Sequence, residues 1–295
     1  MNNYPIIKLR KGKDEAVKRY HPWIFSGAIE TAADGLQAGD IVTVVDYKNN
    51  ILGNGFAEAG NIAVKILTFD DRKIDSDFWK ERLAKAFELR KLMGLTDNEH
   101  TNCYRLVHSE GDNLPGLIID IYGKTAVVQA QTEGMALNVK AIADALMTIE
   151  GLNITSVYNK SSEAMQRMGK DAVEDGYLIG ESSDEFVLEN DSKFFVDWEE
   201  GQKTGFFLDQ RYNRDLVRQL AKGKNVLNTF CYTGGFSVTA LRGGANKVVS
   251  VDCSKKAIAA CEKNIALNGF DVKENPSVAE AAKLFLQNMK KGEFD

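Results

Sequence analysis

The chain is poor in the residues that carry metal and disulfide chemistry. Its 295 residues include 3 histidines and 4 cysteines. Cys103, Cys231, Cys253 and Cys261 form no C-x-x-C pair and have no histidine at metal-ligand spacing. That excludes the common zinc and dithiol motifs, so no metal site is expected, and the thiols read as reduced in a cytoplasmic protein. The 4 prolines, Pro5, Pro22, Pro115 and Pro276, are isolated, so no proline pair exists. No run approaches the ~18 to 20 consecutive apolar residues of a membrane span, so no membrane partner is expected. The N-terminal IIKLRKGKDEAVKRY is broken by charge every few residues, which excludes a signal-peptide core. A net charge of -5 argues against indiscriminate nucleic-acid binding, whose affinity comes from neutralising phosphates. There is no G-x-G-x-x-G, no internal repeat and no low-complexity tract.

The most informative segment is Asn225 to Ser254, NVLNTFCYTGGFSVTALRGGANKVVSVDCS. Val226 and Leu227 start a short apolar strand, Thr233-Gly234-Gly235 make a turn, and Phe236 to Leu241 begin a helix. Val248 to Val251 form a second buried strand with Asp252 at its carboxyl end. Asp252 lies roughly 17 residues after the glycines, near the ~20 at which an acid meets ribose hydroxyls in nucleotide-binding α/β folds. Without the glycine fingerprint the turn offers no obvious pyrophosphate cradle. A cofactor with a ribose and no diphosphate fits better.

Length allows two or three modules, since single cores seldom grow past ~250 to 300 residues. Residues 1–73 alternate short strands (Ile41 to Val45, Ile51 to Gly55, Ile62 to Leu67) with polar turns, the spacing of a small β-barrel. Residues 74–190 read as an α+β domain. Asp75-Ser76-Asp77 offers an N-cap to an amphipathic helix whose apolar residues are Phe78, Leu83, Phe87 and Leu89 and which ends near Gly94. Strands follow at Leu117 to Ile121, Ala126 to Ala130 and Val157 to Asn159, with a helix from Met135 to Met147. His108, Glu110 and Asp112 suggest acid–base chemistry, but glycine and proline turn signals favour a polar turn entering a strand. Asp184 to Asp197 reads as a β-hairpin leading into residues 191–295, whose α/β pattern begins near Val196.

Lys8, Arg10, Lys11, Lys13, Lys18 and Arg19 outnumber Asp14 and Glu15, and Tyr20, Trp23 and Phe25 follow at once. Basic residues beside aromatics suit an RNA surface. On charge alone, a solvated loop next to core aromatics is the stronger reading.

Three segments together, TFCYTGGFS, GQKTGFFLDQRYNR (Gly201 to Arg214) and RYHPWIFSGAI (Arg19 to Ile29), resemble the ribosomal RNA large-subunit methyltransferase I family, over nearly the whole chain. The resemblance implies an N-terminal PUA-type β-barrel that binds RNA, an α+β middle domain and a C-terminal Rossmann-like class I methyltransferase domain. It implies S-adenosyl-L-methionine (SAM) as cofactor and carbon 5 of a cytosine in large-subunit ribosomal RNA as the methyl acceptor. In that family the Q-K-T-G-F-x-x-D-Q-R segment closes over SAM, which makes Gln202, Lys203, Thr204 and Arg211 candidates for the methionine end; a carboxylate there suits a guanidinium or ammonium. Phe230 and Gly234 are expected where the first strand opens onto the cofactor, and Asp252 on the ribose hydroxyls. Asn228 stands where many class I enzymes carry an acid for the methionine amine. Glu280 is the nearest match to the acid that bonds the adenine amine.

The family's cytosine chemistry also implies a thiolate that adds to ring carbon 6 and a motif of the D-P-P type that grips the base. Neither is expected among these residues, so no catalytic residue is assigned and the 295-residue form is expected to lack methyl transfer. A parallel sheet that stops at its third strand leaves apolar edges and one helix layer bare; either a partner chain covers them, as in a homodimer, or the domain is marginal. Two alternatives stay open: a non-catalytic RNA-binding protein with a vestigial SAM fold, and a dinucleotide-dependent oxidoreductase, which the missing glycine fingerprint opposes.

Overall fold

A computed structural model describes residues 3–169, 173–182 and 184–295. The chain divides into two compact units, Met1–Thr96 with Tyr104–Ser182, and Asp97–Cys103 with Ser183–Asp295.

The first unit opens with β1 (Ile6–Leu9), α1 (Glu15–Lys18), β2 (Trp23–Phe25), β3 (Ile29–Ala32), β4 (Ile41–Val45), β5 (Ile51–Ala57) and β6 (Ile62–Thr68). The expected barrel is a six-stranded sheet in the order β2-β6-β5-β4-β1-β3. Its central strands β4 and β5 are buried on both faces because side chains alternate between two cores. Ile7, Leu9, Val42, Val44, Leu52 and Ile66 pack on one side. Phe56 and Leu67 point to the other and join Phe78, Trp79 and Leu83 of α2 (Ser76–Leu92). Residues 1–73 and the helix that follows therefore share a core.

Of Asp75, Ser76 and Asp77, it is Asp75 that caps α2, its carboxylate accepting from the Phe78 amide at 3.2 Å. Leu89 does not belong to the buried stripe; it is 45% exposed and Arg90 is buried in its place. Positions 83, 86, 87 and 90 share one helical face, and 89 falls off it. Arg90 tolerates burial because it forks onto Asp112 at 2.5 and 2.7 Å and donates Nε to the Arg105 carbonyl at 2.9 Å.

β7 (Cys103–His108), β8 (Leu117–Tyr122), β9 (Thr125–Ala130), β10 (Ser156–Asn159) and β11 (Gly176–Ile179) form a sheet ordered β11-β10-β9-β8-β7. The single helix expected over Met135 to Met147 is two, α3 (Glu133–Leu137) and α4 (Val139–Leu146). Asn138 breaks it at φ −104° and ψ 5°, its side-chain amide donating to the Gly134 carbonyl at 2.8 Å. A short α5 spans Ser162–Gln166. His108, Glu110 and Asp112 sit in or beside a 3-10 turn before β8. Glu110 accepts the Trp23 indole N–H at 2.8 Å, and Asp112 accepts the His108 amide at 2.6 Å besides its Arg90 pair. These acids hold structure. Trp23 is thereby tied down, while Tyr20 and Phe25 are 75% and 52% exposed.

The second unit begins with the hairpin β12 (Val187–Glu189) and β13 (Ser192–Phe194). Its turn residues Asn190 and Asp191 have φ of 48° and 64°, the left-handed pair a two-residue hairpin requires. Then come α6 (Arg211–Leu220), β14 (Asn225–Thr229), α7 (Gly235–Arg242), β15 (Lys247–Asp252), α8 (Lys255–Leu267), β16 (Ser277–Ala279) and α9 (Ala282–Gln287). The three last strands are parallel in the order β14-β15-β16, with Thr229 opposite Val251 and Asp252 opposite Ala279. This is a β-α-β-α-β half of a doubly wound sheet, whose ligands bind at the carboxyl ends of the strands. Among the described residues no helix is long and apolar enough to cross a membrane.

Candidate cofactor site

The chain leaves β14 through a turn of unusual conformation. Phe230, Tyr232 and Gly234 all have positive φ, at 58°, 48° and 80°. Left-handed bulky residues cost of order 1–3 kcal/mol each and persist only where surrounding structure imposes them. Alternation with the ordinary residues between them throws successive side chains apart. Phe230 emerges 79% exposed, while Cys231 tucks inward, 5% exposed, with its amide on the Val251 carbonyl at 3.1 Å.

The same turn aims Asp252. The Tyr232 amide donates to one carboxylate oxygen at 3.0 Å and the Ser254 amide to the other at 2.9 Å. A carboxylate has about four acceptor sites, so each oxygen keeps one free. Asp252 does not cap α8; the Ser254 hydroxyl does so, accepting from the Ala257 amide at 3.2 Å.

Beside this carboxylate lies a cavity of about 410 Å³, lined among others by Asp197, Gln202, Phe207, Phe230, Thr233, Asp252, Lys256 and Ala260. One wall is the segment before α6. There Asp197 holds the chain bend, its carboxylate accepting the Glu200 amide at 2.9 Å and its carbonyl the Gly201 amide at 3.0 Å. A side chain at Gly201 would run into that carbonyl. The lining carboxylates Asp197, Glu200 and Asp252 face one described lining cation, Lys256, which pairs with Glu200 and lies 3.9 Å from Asp197. The cavity is net acidic and suits a cationic ligand.

Three of the nine candidate residues, Gln202, Phe230 and Asp252, line this cavity together. Lys203 is exposed at φ 56° and Thr204 is buried, both next to Gln202 in the same loop. Glu280 follows β16, its amide bonded to the Asp252 carbonyl at 3.0 Å, at the same end of the sheet. The other three do something else. Arg211 points to the Cys103 carbonyl and to Glu189, 3.4 Å away, so its guanidinium is engaged outside the cavity lining. Asn228 donates to the Ser237 hydroxyl at 2.8 Å, which in turn meets Ser250 at 2.7 Å, a buried polar network beneath the turn. Gly234 packs on α8: a Cβ there would come within 2.5 Å of the Cys261 sulfur. Its smallness serves helix packing.

Sequence reasoning missed Asp197, Tyr232, Thr233 and Lys256. Tyr232 and Thr233 lie inside the glycine turn, where only the folded backbone decides which side chains face the cavity. Asp197 precedes the Q-K-T-G segment by five positions and becomes a neighbour only through the bend it makes. No cysteine is among the described lining residues. Cys231 is raised well above the usual thiol range by its contact with Cys261, by burial and by the field of Asp252, and burial pushes Cys103 up to about 12.

The cavity fits a nucleoside-bearing cation. Its volume is within the ~300–1,000 Å³ of small-molecule sites. Asp252 offers two free acceptors, Phe207 and Phe230 offer apolar faces, and the buried Thr233 hydroxyl has no partner among the described residues. Residues 105–292 match the S-adenosylmethionine-dependent methyltransferase family, and residues 7–69 match the PUA-like domain. Ribosomal RNA large subunit methyltransferase I from Tolumonas auensis is 36% identical over 98% of this chain and 74% of its own length. The chain belongs to that family. The Photobacterium profundum member is 38% identical over 98% of this chain and 73% of its own, and the Enterobacter member 35% over 90% and 67%. The chain thus spans two thirds to three quarters of these relatives. In fold it is similar to a putative SAM-dependent methyltransferase from Streptococcus mutans, with TM-score 0.80 and 23% identity over 96% of this chain and 72% of that one. A putative methyltransferase solved with S-adenosylhomocysteine gives TM-score 0.79 at 23% identity, over 96% of this chain and 71% of its own. As a family member the chain is a SAM-dependent methyltransferase.

Proposed function

We propose that this methyltransferase acts on large-subunit ribosomal RNA at carbon 5 of a cytosine, with its cofactor in the cavity beside Asp252. The observation that carries the cofactor placement is the double backbone clamp on the Asp252 carboxylate, which leaves one acceptor on each oxygen for a pair of ribose hydroxyls. When bound, SAM supplies an electrophilic methyl group on its sulfonium. Asp252 fixes the ribose, Phe230 and Phe207 cover the apolar faces, and Glu280 serves the adenine edge. Gln202, Lys203 and Thr204 hold the methionine end. Asp197 and Glu200 favour the cationic cofactor over a neutral or anionic competitor. Lys256 replaces Arg211 as the cation available to the methionine carboxylate, since it reaches the lining and Arg211 does not.

The rRNA assignment is supported by the names of the relatives and by the PUA-like match over residues 7–69. Arg10, Lys11, Lys13, Lys18 and Arg19 are exposed there. Methylation at carbon 5 must expel the hydrogen on that carbon, which gives a specific test. Large-subunit RNA tritiated at cytosine carbon 5 is mixed with SAM and the protein. Release of tritium to water, dependent on SAM, is the expected result. Methyl incorporation without tritium release would place the reaction at another atom.

A further inference from the structure

Asp252 and the Gly201–Gly205 loop belong to distant stretches of chain, yet one residue touches both. The Tyr232 amide holds the Asp252 carboxylate at 3.0 Å, while its phenol accepts the Gln202 amide at 3.0 Å and donates to the Gly205 carbonyl at 3.2 Å. The ring stands edge-on to Phe207, centroids 5.4 Å apart, and Tyr232, Gln202 and Phe207 all line the cavity.

We propose that Tyr232 is a positioning residue for cofactor binding: its backbone aims the ribose-accepting carboxylate while its hydroxyl pins the Gly201–Gly205 loop as the facing wall. This rests on the cofactor reading above. Two features support it. Tyr232 adopts φ 48°, a conformation a tyrosine holds only under constraint, and its tethered amide and tethered hydroxyl supply that constraint. The loop it pins is itself under conformational demand: Lys203 has φ 56°, Gly205 has φ 105°, and Gly201 has no room for a Cβ. Such a loop relaxes when its cross-bonds are removed. The hydroxyl has its proton on Gly205 and a lone pair on Gln202, which describes a latch more than a proton donor to a substrate. Burial raises the phenol above its ordinary value, so the donated bond persists into more alkaline solution than for an exposed tyrosine.

Tyr232→Phe tests this cleanly, because it keeps the ring packing and the amide on Asp252 and removes only the hydroxyl. Amide hydrogen exchange should accelerate about tenfold or more at Gln202 and its loop neighbours, where a protecting bond is lost. S-adenosylhomocysteine should dissociate roughly three to ten times faster, the effect of one hydrogen bond. Its association rate should change by less than about twofold, since Asp252 stays aimed. Tyr232→Ala, which also loses the ring, should exceed both effects. Unchanged loop exchange and dissociation in Tyr232→Phe, with the ligand still bound, would overturn the latch and leave the cofactor reading intact. Faster exchange with no ligand binding by wild type or variant would overturn the cofactor reading and the positioning role with it.

Discussion

Arg214 and Glu189 meet as a two-pronged ion pair, Nε to one carboxylate oxygen at 2.6 Å and Nη2 to the other at 2.7 Å, with side chains 2% and 1% exposed. The guanidinium also lies 4.5 Å over the Phe206 ring and donates to the Phe207 carbonyl at 2.9 Å. One buried arginine thus ties the β12–β13 hairpin to the segment that leaves the cavity wall. Removing one partner of such a pair strands a buried charge, at a cost of about 3–5 kcal/mol. Glu189→Leu or Arg214→Met should lower the urea midpoint of the second unit accordingly. The double variant Glu189→Leu/Arg214→Met should recover part of the loss, as measured in a double-mutant cycle. Additive losses would mean that the pair is not the link.

Gly234 offers a test of packing against ligand contact. Alanine there meets the Cys261 sulfur at 2.5 Å and its Cα at 3.2 Å, at φ 80°. Gly234→Ala should lower stability by about 1–3 kcal/mol, read from thermal or urea unfolding. Cys261→Ala in that background should return part of it. No recovery would place the whole cost in the backbone conformation.

Much of this was legible beforehand, and for identifiable reasons. Asp252 could be placed at the strand end because a buried apolar strand ending in an acid after a glycine turn is a local pattern, and the α2 cap could be narrowed to Asp75-Ser76-Asp77 because a helix cap acts on its own first turn. Arg211 and Asn228 were misdirected because their partners, Cys103, Glu189 and Ser237, are set by tertiary contacts that no spacing reveals. The acidic character of the cavity was hidden for the same reason, since Asp197 and Glu200 meet Lys256 and Asp252 only after folding. The break at Asn138 was readable in principle, an asparagine inside an apolar-periodic run being able to bond its own backbone.

The His100 imidazole bonds the Asp191 carboxylate at 2.6 Å, at the hairpin tip. That bond and the Asp191 charge raise the His100 pKa above its ordinary 6.5. A raised folded-state value means the contribution is complete below about pH 6.5 and fades as pH climbs through the higher folded value. The stability difference between wild type and His100→Ala should therefore shrink from pH 6 to pH 8 in urea titrations. A difference that grows with pH would contradict the pairing. The carbonyl of His100 also accepts the Asp191 amide at 2.9 Å, and alanine keeps that bond, so the titration isolates the ring.

RNA binding by the whole chain should weaken steeply with salt, because phosphate contacts release counterions. In a Lys8→Ala/Arg10→Ala/Lys11→Ala variant the slope of log K against log salt should fall by about 1 to 2, as ~0.7 is lost per phosphate contact on single strands. The figure is below that of three full contacts because Arg10 already donates Nε to the Ile29 carbonyl at 3.0 Å and Lys11 sits 5.9 Å from the centre of the Tyr47 ring. An unchanged slope would make these residues a solvated face.

If the cavity beside Asp252 takes a SAM-type cofactor through its ribose, isothermal titration with S-adenosylhomocysteine and with NAD, on wild type and Asp252→Ala, will show it. Wild type should bind S-adenosylhomocysteine and not NAD, and Asp252→Ala should weaken that binding by about 1.5–3 kcal/mol, the loss of hydrogen bonds to a charged acceptor. Equal affinity in a folded Asp252→Ala protein, or tighter binding of NAD, would rule out a ribose held by Asp252.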